Sequence, residues 1–189
     1  MKGLKGYKPV IFVLVLVLFG VGVFFFVTRK PAAESGTGTV SELSKLVDRD
    51  YDKNYPPTPR EVAAAYTDIL MYLHNKECSD ADIEKLVNCT RKLMDSELLS
   101  QNPQKSMIAG LKSDIASFKK DNIEIVSYTL PELSEVTYFT FEDAECAGVK
   151  VSFFTKKKDN AFAKTFQQYL FRKDSTGKWK LYGYKQVTS

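Results

Sequence analysis

Residues 10–27 form a continuous apolar run, VIFVLVLVLFGVGVFFFV, which contains no polar side chain. As a helix, this run would cover about 27 Å at about 1.5 Å per residue, close to the hydrocarbon core of a bilayer, which is about 30 Å thick. A secretory signal peptide has a shorter apolar region and ends at a small-residue cleavage site, whereas this run ends in Phe-Phe-Phe-Val-Thr-Arg-Lys. The run therefore predicts one transmembrane helix that is retained and contacts the lipid bilayer.

Basic residues on both sides of the run bear on its orientation. They are Lys2, Lys5 and Lys8 before it and Arg29 and Lys30 after it. A short tail that is entirely basic favours the cytoplasm. The sequence thus predicts a single-pass protein of the cell membrane, with a cytoplasmic N-terminus and an extracytoplasmic C-terminal domain. The opposite orientation stays open because two basic residues directly follow the run.

The formal net charge of +4 arises at the flanks of the run. Without the five flanking basic residues, residues 31–189 contain 22 basic residues against 23 acidic ones. A near-neutral domain has no general attraction for polyanions, so the sequence predicts no nucleic-acid partner. Residues 31–189 are also within the usual size of a single domain and long enough to bury a core.

The cysteines do not have the spacing of metal ligands. The chain has Cys78, Cys89 and Cys146, contains no C-x-x-C motif and has one histidine, so neither a metal site nor a cofactor is predicted. If residues 79–95 form a helix, Cys78 and Cys89 lie about 15 Å apart, beyond the reach of a disulfide. Lone thiols are the first expectation, and only a pair that includes Cys146 could form a disulfide.

Three parts of the chain are distinguishable by composition. Residues 1–30 are the basic tail and the anchor. Residues 31–57 begin with PAAESGTGT, which is typical of a flexible spacer, and have apolar residues at helical spacing over 40–49. Residues 58–189 are predicted to be the folded domain, because Thr58-Pro59-Arg60-Glu61 combines a capping threonine, a first-turn proline and the glutamate of a capping box.

The folded domain changes its hydrophobic period once. Three segments have helical spacing, and they follow Thr58, Ser79 and Asn102-Pro103. From residue 123 the period is that of strands, in five segments: IEIVSYTL, VTYFTFED, GVKVSFFTKK, TFQQYLFRKD and KWKLYGYKQ. Residues 174–177 are predicted to join the last two as a hairpin. The order predicts an α+β domain with three helices on one face of a curved antiparallel sheet of four to five strands.

This order of elements, ending in YLFRKDSTGKWKLYGY, resembles the cone-shaped NTF2-like superfamily over residues 58–187. That fold usually has a strand before its third helix, and none is evident between Met94 and Asn102, so a cystatin-like arrangement stays open. The segment YDKNYPPTPREV after a short anchor also resembles a family of small uncharacterised single-pass membrane proteins of clostridial-type bacteria. The second resemblance implies no activity, whereas enzymes of the superfamily place an acid or a His/Asp pair in an apolar cone.

Few residues of this chain suit such chemistry. His74 is near the end of the first predicted helix, where we expect a partly exposed side chain favoured by the helix dipole, with Glu77 as a surface neighbour. Glu142, Asp143 and Glu145 lack EF-hand spacing and are predicted to form a solvated turn rather than a calcium site. We therefore predict no catalytic residue and no enzymatic activity.

Aromatic side chains are concentrated in the predicted strands. Because alternate strand residues point to opposite faces, Phe153 and Phe154 cannot enter the same core. The second face either simply covers the sheet or is a contact surface, and the latter predicts a non-catalytic, membrane-tethered domain that binds a protein or an envelope component. The alternative is a small-molecule-binding or enzymatic domain with an apolar pocket between helices and sheet, lined by Tyr66, Tyr138 and Tyr169.

Overall fold

A computed structural model describes residues 41–157 and 161–188. The predicted transmembrane run at 10–27 and the first part of the spacer lie outside the described residues. Within them, no helix has both the length and the apolar character needed to span a membrane.

The described residues fold into helices followed by strands, as the sequence predicts. The helices are α1 (Glu42–Val47), α2 (Pro59–Asn75), α3 (Asp80–Lys92), α4 (Ser96–Gln101) and α5 (Gln104–Lys120). The strands are β1 (Glu124–Thr129), β2 (Thr137–Phe141), β3 (Ala144–Lys156), β4 (Phe162–Lys173) and β5 (Trp179–Val187). All strand pairings between these five are antiparallel. The predicted α+β class, with helices packed on an antiparallel sheet, is confirmed.

Two helix starts follow directly from local sequence. The Thr58 hydroxyl accepts a hydrogen bond from the Glu61 N–H, and the Glu61 carboxylate accepts one from the Thr58 N–H, each at 3.2 Å. Pro59 occupies the first turn of α2. The Ser79 hydroxyl similarly accepts from the Asp82 N–H at 3.2 Å at the start of α3. These bonds satisfy N–H groups that have no partner inside the helix, so both predicted starts are confirmed.

The segment between α3 and α5 contains the short helix α4, which the sequence pattern does not predict. Asp95 begins it by accepting a hydrogen bond from the Glu97 N–H at 2.9 Å. Just before it, the chain forms one isolated parallel bridge between Met94 and Leu181. The Leu181 N–H donates to the Leu93 carbonyl, and the Asp95 N–H donates to the Leu181 carbonyl, both at 2.8 Å. This segment thus lies along the edge of β5 without becoming a strand.

β3 is the central strand of the sheet. One edge of β3 pairs with β1 through residues 152–156 and with β2 through residues 144–148. Its other edge pairs with β4, which in turn pairs with β5. The predicted hairpin turn between β4 and β5 is confirmed: Gly177 has a φ of +80°, and Asp174 accepts from the Thr176 and Lys178 N–H groups at 2.8 and 3.0 Å.

Helix α2 contacts β1, β3 and β5 from one side of the sheet. We call this side the inner face; its residues on β3 and β4 include Val149, Val151, Phe153, Tyr169 and Phe171, all buried. The apolar stripe of α2, formed by Val62, Tyr66, Ile69 and Leu73, is also buried. The core therefore lies between the helices and the inner face.

Candidate functional site

The structure brings together two of the three tyrosines that the sequence suggests for a pocket. The rings of Tyr66 and Tyr169 meet edge to face with centroids 5.7 Å apart. Tyr184 completes the cluster, at 6.5 Å from Tyr66 and 6.0 Å from Tyr169. The Tyr169 hydroxyl donates to the Gln167 side-chain carbonyl at 2.7 Å. Tyr66 and Tyr169 are fully buried, so their rings occupy the space that an apolar pocket at this point would need.

Tyr138 lies apart from this cluster. Its side chain is 60% exposed, and its ring packs edge-on against Trp179 with centroids 5.9 Å apart. The register opposes Tyr138 to Ala147, whose neighbour on the next strand is Phe171. Tyr138 therefore covers the margin of the core near Trp179.

A cavity of about 10 Å³ lies between α2, α5 and the inner face. It has room for about one water molecule, whereas a site for a metabolite-sized ligand needs roughly 300 Å³ or more. His74, Phe118 and Gln167 are among the residues that line it. None of the three suggested tyrosines lines it.

His74 is buried, which corrects the expectation of a partly exposed side chain. It is 4% exposed, and its ring packs on Phe118 with centroids 4.6 Å apart. Nδ1 lies 2.8 Å from the Leu70 carbonyl, and since a carbonyl only accepts, Nδ1 carries the proton. Nε2 is buried and has no hydrogen-bond partner among the described residues. Burial lowers the pKa of His74, and the bond to Leu70 opposes this shift. His74 is buried because α5 packs against α2 and places Phe118 on its ring. Its position near the end of a helix does not predict this long-range contact.

The acidic groups suggested by sequence lie at the surface. Glu142 and Asp143 form a two-residue turn between β2 and β3, with φ of 49° and 61°, as the predicted solvated turn requires. The Glu145 carboxylate accepts from Lys173 Nζ at 2.8 Å, and the Glu77 carboxylate accepts from Lys119 Nζ at 2.7 Å. Nowhere in residues 41–157 and 161–188 do three or more His, Cys, Asp or Glu side chains group as metal ligands.

The three cysteines are free thiols in this structure. Cys89 and Cys146 are buried, and Cys78 is half-buried. Burial raises the pKa of all three thiols, and a thiol with a raised pKa is a poor nucleophile near neutral pH.

Asp114 on α5 is an acidic side chain that the sequence analysis does not single out. One carboxylate oxygen, Oδ2, is buried and has no hydrogen-bond partner among the described residues. Burial raises the pKa of the Asp114 carboxyl to about 6. Its charge contributes, after burial and the two neighbouring tyrosines, to raising the pKa of Tyr184.

The opposite side of the sheet carries different residues. We call it the outer face and define it on β3 and β4 by the alternate positions from Cys146 to Lys156 and from Phe162 to Arg172, which the register pairs with one another. At the end of the sheet next to β1, these positions form a group of lysines and phenylalanines. This Lys–Phe patch consists of Lys150, Lys156, Lys164, Phe154, Phe162 and Phe166.

The lysines of the Lys–Phe patch lie over the rings of its phenylalanines. Lys164 Nζ is 5.1 Å from the ring centroids of both Phe154 and Phe166. Lys150 Nζ is 4.7 Å from the ring of Phe166. These are cation–π distances. Phe162 is 59% exposed, so the patch presents charge and aromatic surface together.

The other end of the outer face combines an aromatic pair with an ion pair. Phe139 and Phe141 on β2 are 42% and 43% exposed. Arg172 donates to both carboxylate oxygens of Asp95 and, at 3.3 Å, to Glu97. Because Asp95 is 4% exposed, the charge of Arg172 is largely neutralised within the fold.

Sequence reasoning finds the two-sided aromatic sheet but does not find the lysines that accompany it. Strand alternation could have indicated them, because residues at even-numbered positions lie on one face of β3 and of β4. Lys150, Phe154 and Lys156 share one face of β3, and Phe162, Lys164 and Phe166 share one face of β4. Only the register, which opposes Phe154 to Lys164, unites the two sets in one patch.

Comparison with known proteins gives one positive finding. No curated protein matches the chain. A family described as "Domain of unknown function (DUF6715)" matches residues 1–184, nearly the whole chain. With its apolar run and its α+β domain both inside that match, the chain belongs to the DUF6715 family.

Proposed function

We propose that this protein is a non-catalytic, membrane-anchored binding domain that docks a protein or an envelope component through the outer face of its sheet. The observation that carries the proposal is the exposure of Phe139, Phe141 and Phe162 on the outer face of the sheet. Exposed aromatic side chains grouped on one face are typical of an interaction surface.

The anchor is part of the proposal. Residues 10–27 span the cell membrane once, with the N-terminus in the cytoplasm and the domain outside, as the lengths and charges of the sequence favour. The family match extends over residues 1–184, so it includes both the apolar run and the folded domain. This supports the proposal that the run is retained as an anchor. A bacterial envelope of the clostridial type is the proposed setting.

An NTF2-like arrangement is the finer fold that we propose, in place of the cystatin-like alternative. The order of helices followed by an antiparallel sheet with helices packed on it supports it. The small-molecule or enzymatic alternative has less support, because Tyr66 and Tyr169 fill the interior and the described cavity has room for about one water.

Site-specific photo-crosslinking in cells tests the binding role. The full-length chain carries a photoreactive phenylalanine analogue at Phe141, at Phe162 or, as a control on the exposed side of α3, at Glu84. We expect one adduct of defined mass from the outer-face positions and none from Glu84. Identification of the crosslinked protein and binding of its purified form complete the test. Equal adducts at all three positions, or none at any, contradict the proposal.

A reporter fused after Ser189 tests the orientation separately. We expect a reporter that works only outside the cytoplasm to be active there, and a cytoplasm-only reporter to be inactive. The reverse result contradicts the extracytoplasmic assignment but leaves the binding face open to the crosslinking test.

A further inference from the structure

We infer that the Lys–Phe patch binds an acidic segment of the partner protein. This inference rests on the proposed function and names the chemistry of its partner. It depends on the placement of three lysines over aromatic rings and on the lack of an ion-pair partner for Lys150 and Lys164 among the described residues.

The three lysines lie along two neighbouring strands. Lys150 and Lys156 lie on the outer face of β3, and Lys164 lies on β4 directly opposite Phe154. At a rise of about 3.4 Å per residue the two lysines of β3 are about 20 Å apart, and β4 lies about 4.8 Å to one side, so one extended peptide could reach all three. The rings beneath Lys150 and Lys164 restrict where their amines can lie, which reduces the ordering cost when a carboxylate binds.

The fold leaves Lys150 and Lys164 without an ion-pair partner among the described residues. The outer-face positions of β3 and β4 contain no Asp or Glu, but the register places Glu124 of β1 opposite Lys156. None of the three lysines forms an ion pair within 4.0 Å with a described carboxylate, and Lys150 Nζ donates to the Thr188 main-chain carbonyl at 3.4 Å. Other lysines of the domain do have such partners: Lys53, Lys76, Lys85, Lys112, Lys119 and Lys173. The charges of Lys150 and Lys164 therefore remain available to a carboxylate from outside.

Two other occupants are less compatible with the surface. A second copy docked face to face would oppose lysine to lysine. Nucleic acid favours a broadly basic domain with free rings, whereas residues 31–189 are near neutral and lysines cover Phe154 and Phe166.

Binding of a labelled peptide tests the inference. The full-length chain, held in nanodiscs of zwitterionic lipid, is titrated against a fluorescent peptide of alternating Glu and Ser. A peptide of alternating Gln and Ser is the neutral control. We expect the acidic peptide alone to bind, and its affinity to fall steeply at about 0.5 M salt, where charges are screened over a few ångströms.

Paired variants assign the binding to the patch. The double substitution Lys150→Ala with Lys164→Ala should lower the affinity for the acidic peptide roughly tenfold, the size expected when two exposed charge contacts are lost. Lys150→Arg with Lys164→Arg keeps the charge and should retain binding. Lys53→Ala with Lys85→Ala removes two exposed lysines elsewhere and should change nothing. Equal weakening by both alanine pairs, or binding of the neutral peptide, overturns the inference.

Two further probes separate the other anionic partners. Single-stranded oligo-U and vesicles that contain phosphatidylglycerol are compared with the acidic peptide at the same salt concentration. Tighter binding of either probe overturns the inference in favour of nucleic acid or lipid.

Crosslinking distinguishes this inference from the proposed function. If the adducts from Phe141 and Phe162 both persist unchanged when Lys150 and Lys164 are alanine, the binding role stands and the acidic partner fails. If neither Phe141 nor Phe162 gives an adduct, both fail. Loss of the Phe162 adduct in the lysine variant, with purified partner binding through an acidic segment, supports both.

Discussion

On β3 and β4, the inner-face residues Val149, Val151 and Tyr169 are fully buried, whereas Lys150 and Lys164, each one step along a strand from an inner-face position, are exposed. The same backbone thus carries two surfaces with different physical roles. Inner-face side chains stabilise the fold because their apolar surface is removed from water. Exposed outer-face side chains such as Lys150, Lys164 and Phe162 gain little on folding, so we expect changes to them to affect binding and changes on the inner face to affect stability.

Replacing Tyr169 by alanine gives the largest expected effect. Its ring packs against Tyr66, Phe171 and Tyr184, and its removal leaves a buried void. We expect Tyr169→Ala to lower the free energy of unfolding by about 3–5 kcal/mol, measured by denaturant titration of the full-length chain in a non-ionic detergent. Tyr138→Ala, at a side chain that is 60% exposed, is the control and should cost less than half as much. Equal losses of stability would contradict the assignment of Tyr169 to the packed core and of Tyr138 to its exposed edge.

Arg172 tests whether an outer-face charge can belong to the fold. Unlike the lysines of the Lys–Phe patch, it binds a carboxylate, that of Asp95, which is 4% exposed. We expect Arg172→Met to lower the free energy of unfolding by about 2–4 kcal/mol, because it leaves that carboxylate buried and unpaired.

Adding Asp95→Asn should restore much of the stability lost in Arg172→Met. Asparagine removes the unpaired charge and can still act as the N-cap of α4. The same denaturant titration measures the recovery. A double variant as unstable as Arg172→Met alone would show that the ion pair is not the cause of the loss.

Local sequence is sufficient for some of these features and not for others. Thr58 and Ser79 begin helices through bonds that span three residues, so the helix starts are readable from the chain. Strand alternation likewise separates Phe153 from Phe154. The short α4 is not readable, because its place depends on hydrogen bonds between residues 93–95 and Leu181 far along the chain.

The candidate site shows the same limit. The sequence suggests Tyr66, Tyr138 and Tyr169 as the lining of a pocket, whereas Tyr66 and Tyr169 pack against each other and Tyr138 packs on Trp179. The burial of His74 depends on Phe118 of α5, and the Lys–Phe patch depends on the register of β3 and β4. Each is a long-range pairing that periodicity cannot specify.

Asp114 extends the comparison to a charge on the helix side. Burial raises the pKa of its carboxyl to about 6, and one oxygen has no partner among the described residues. The folded state therefore binds the proton more tightly than the unfolded state, whose pKa is about 3.9. This group destabilises the fold increasingly as the pH rises through that window, and its cost is fully present above about pH 6.

We therefore expect Asp114→Asn to stabilise the protein at pH 8. The gain should be about 1 kcal/mol, discounted because the carboxyl is partly exposed and screened by water, and it should vanish near pH 4. Denaturant titrations of both proteins across this range measure it. Comparison at each pH cancels the opposite contribution of His74, whose lowered pKa makes stability fall as the pH drops below about 6.5. A loss of stability at pH 8 would show that the Asp114 charge is needed by the fold.

Phe162 gives the smallest expected effect on stability and has a matched control. It is 59% exposed, whereas Phe153, the same residue type on the paired strand, is 6% exposed. Phe162→Ala should change the free energy of unfolding by less than about 0.5 kcal/mol, while Phe153→Ala should cost about 3 kcal/mol. Denaturant titration of the two variants measures the difference. A large cost at Phe162 would mean that part of the same chain covers the outer face, because only lost burial makes a phenylalanine costly to remove, and that face would then be unavailable to a partner.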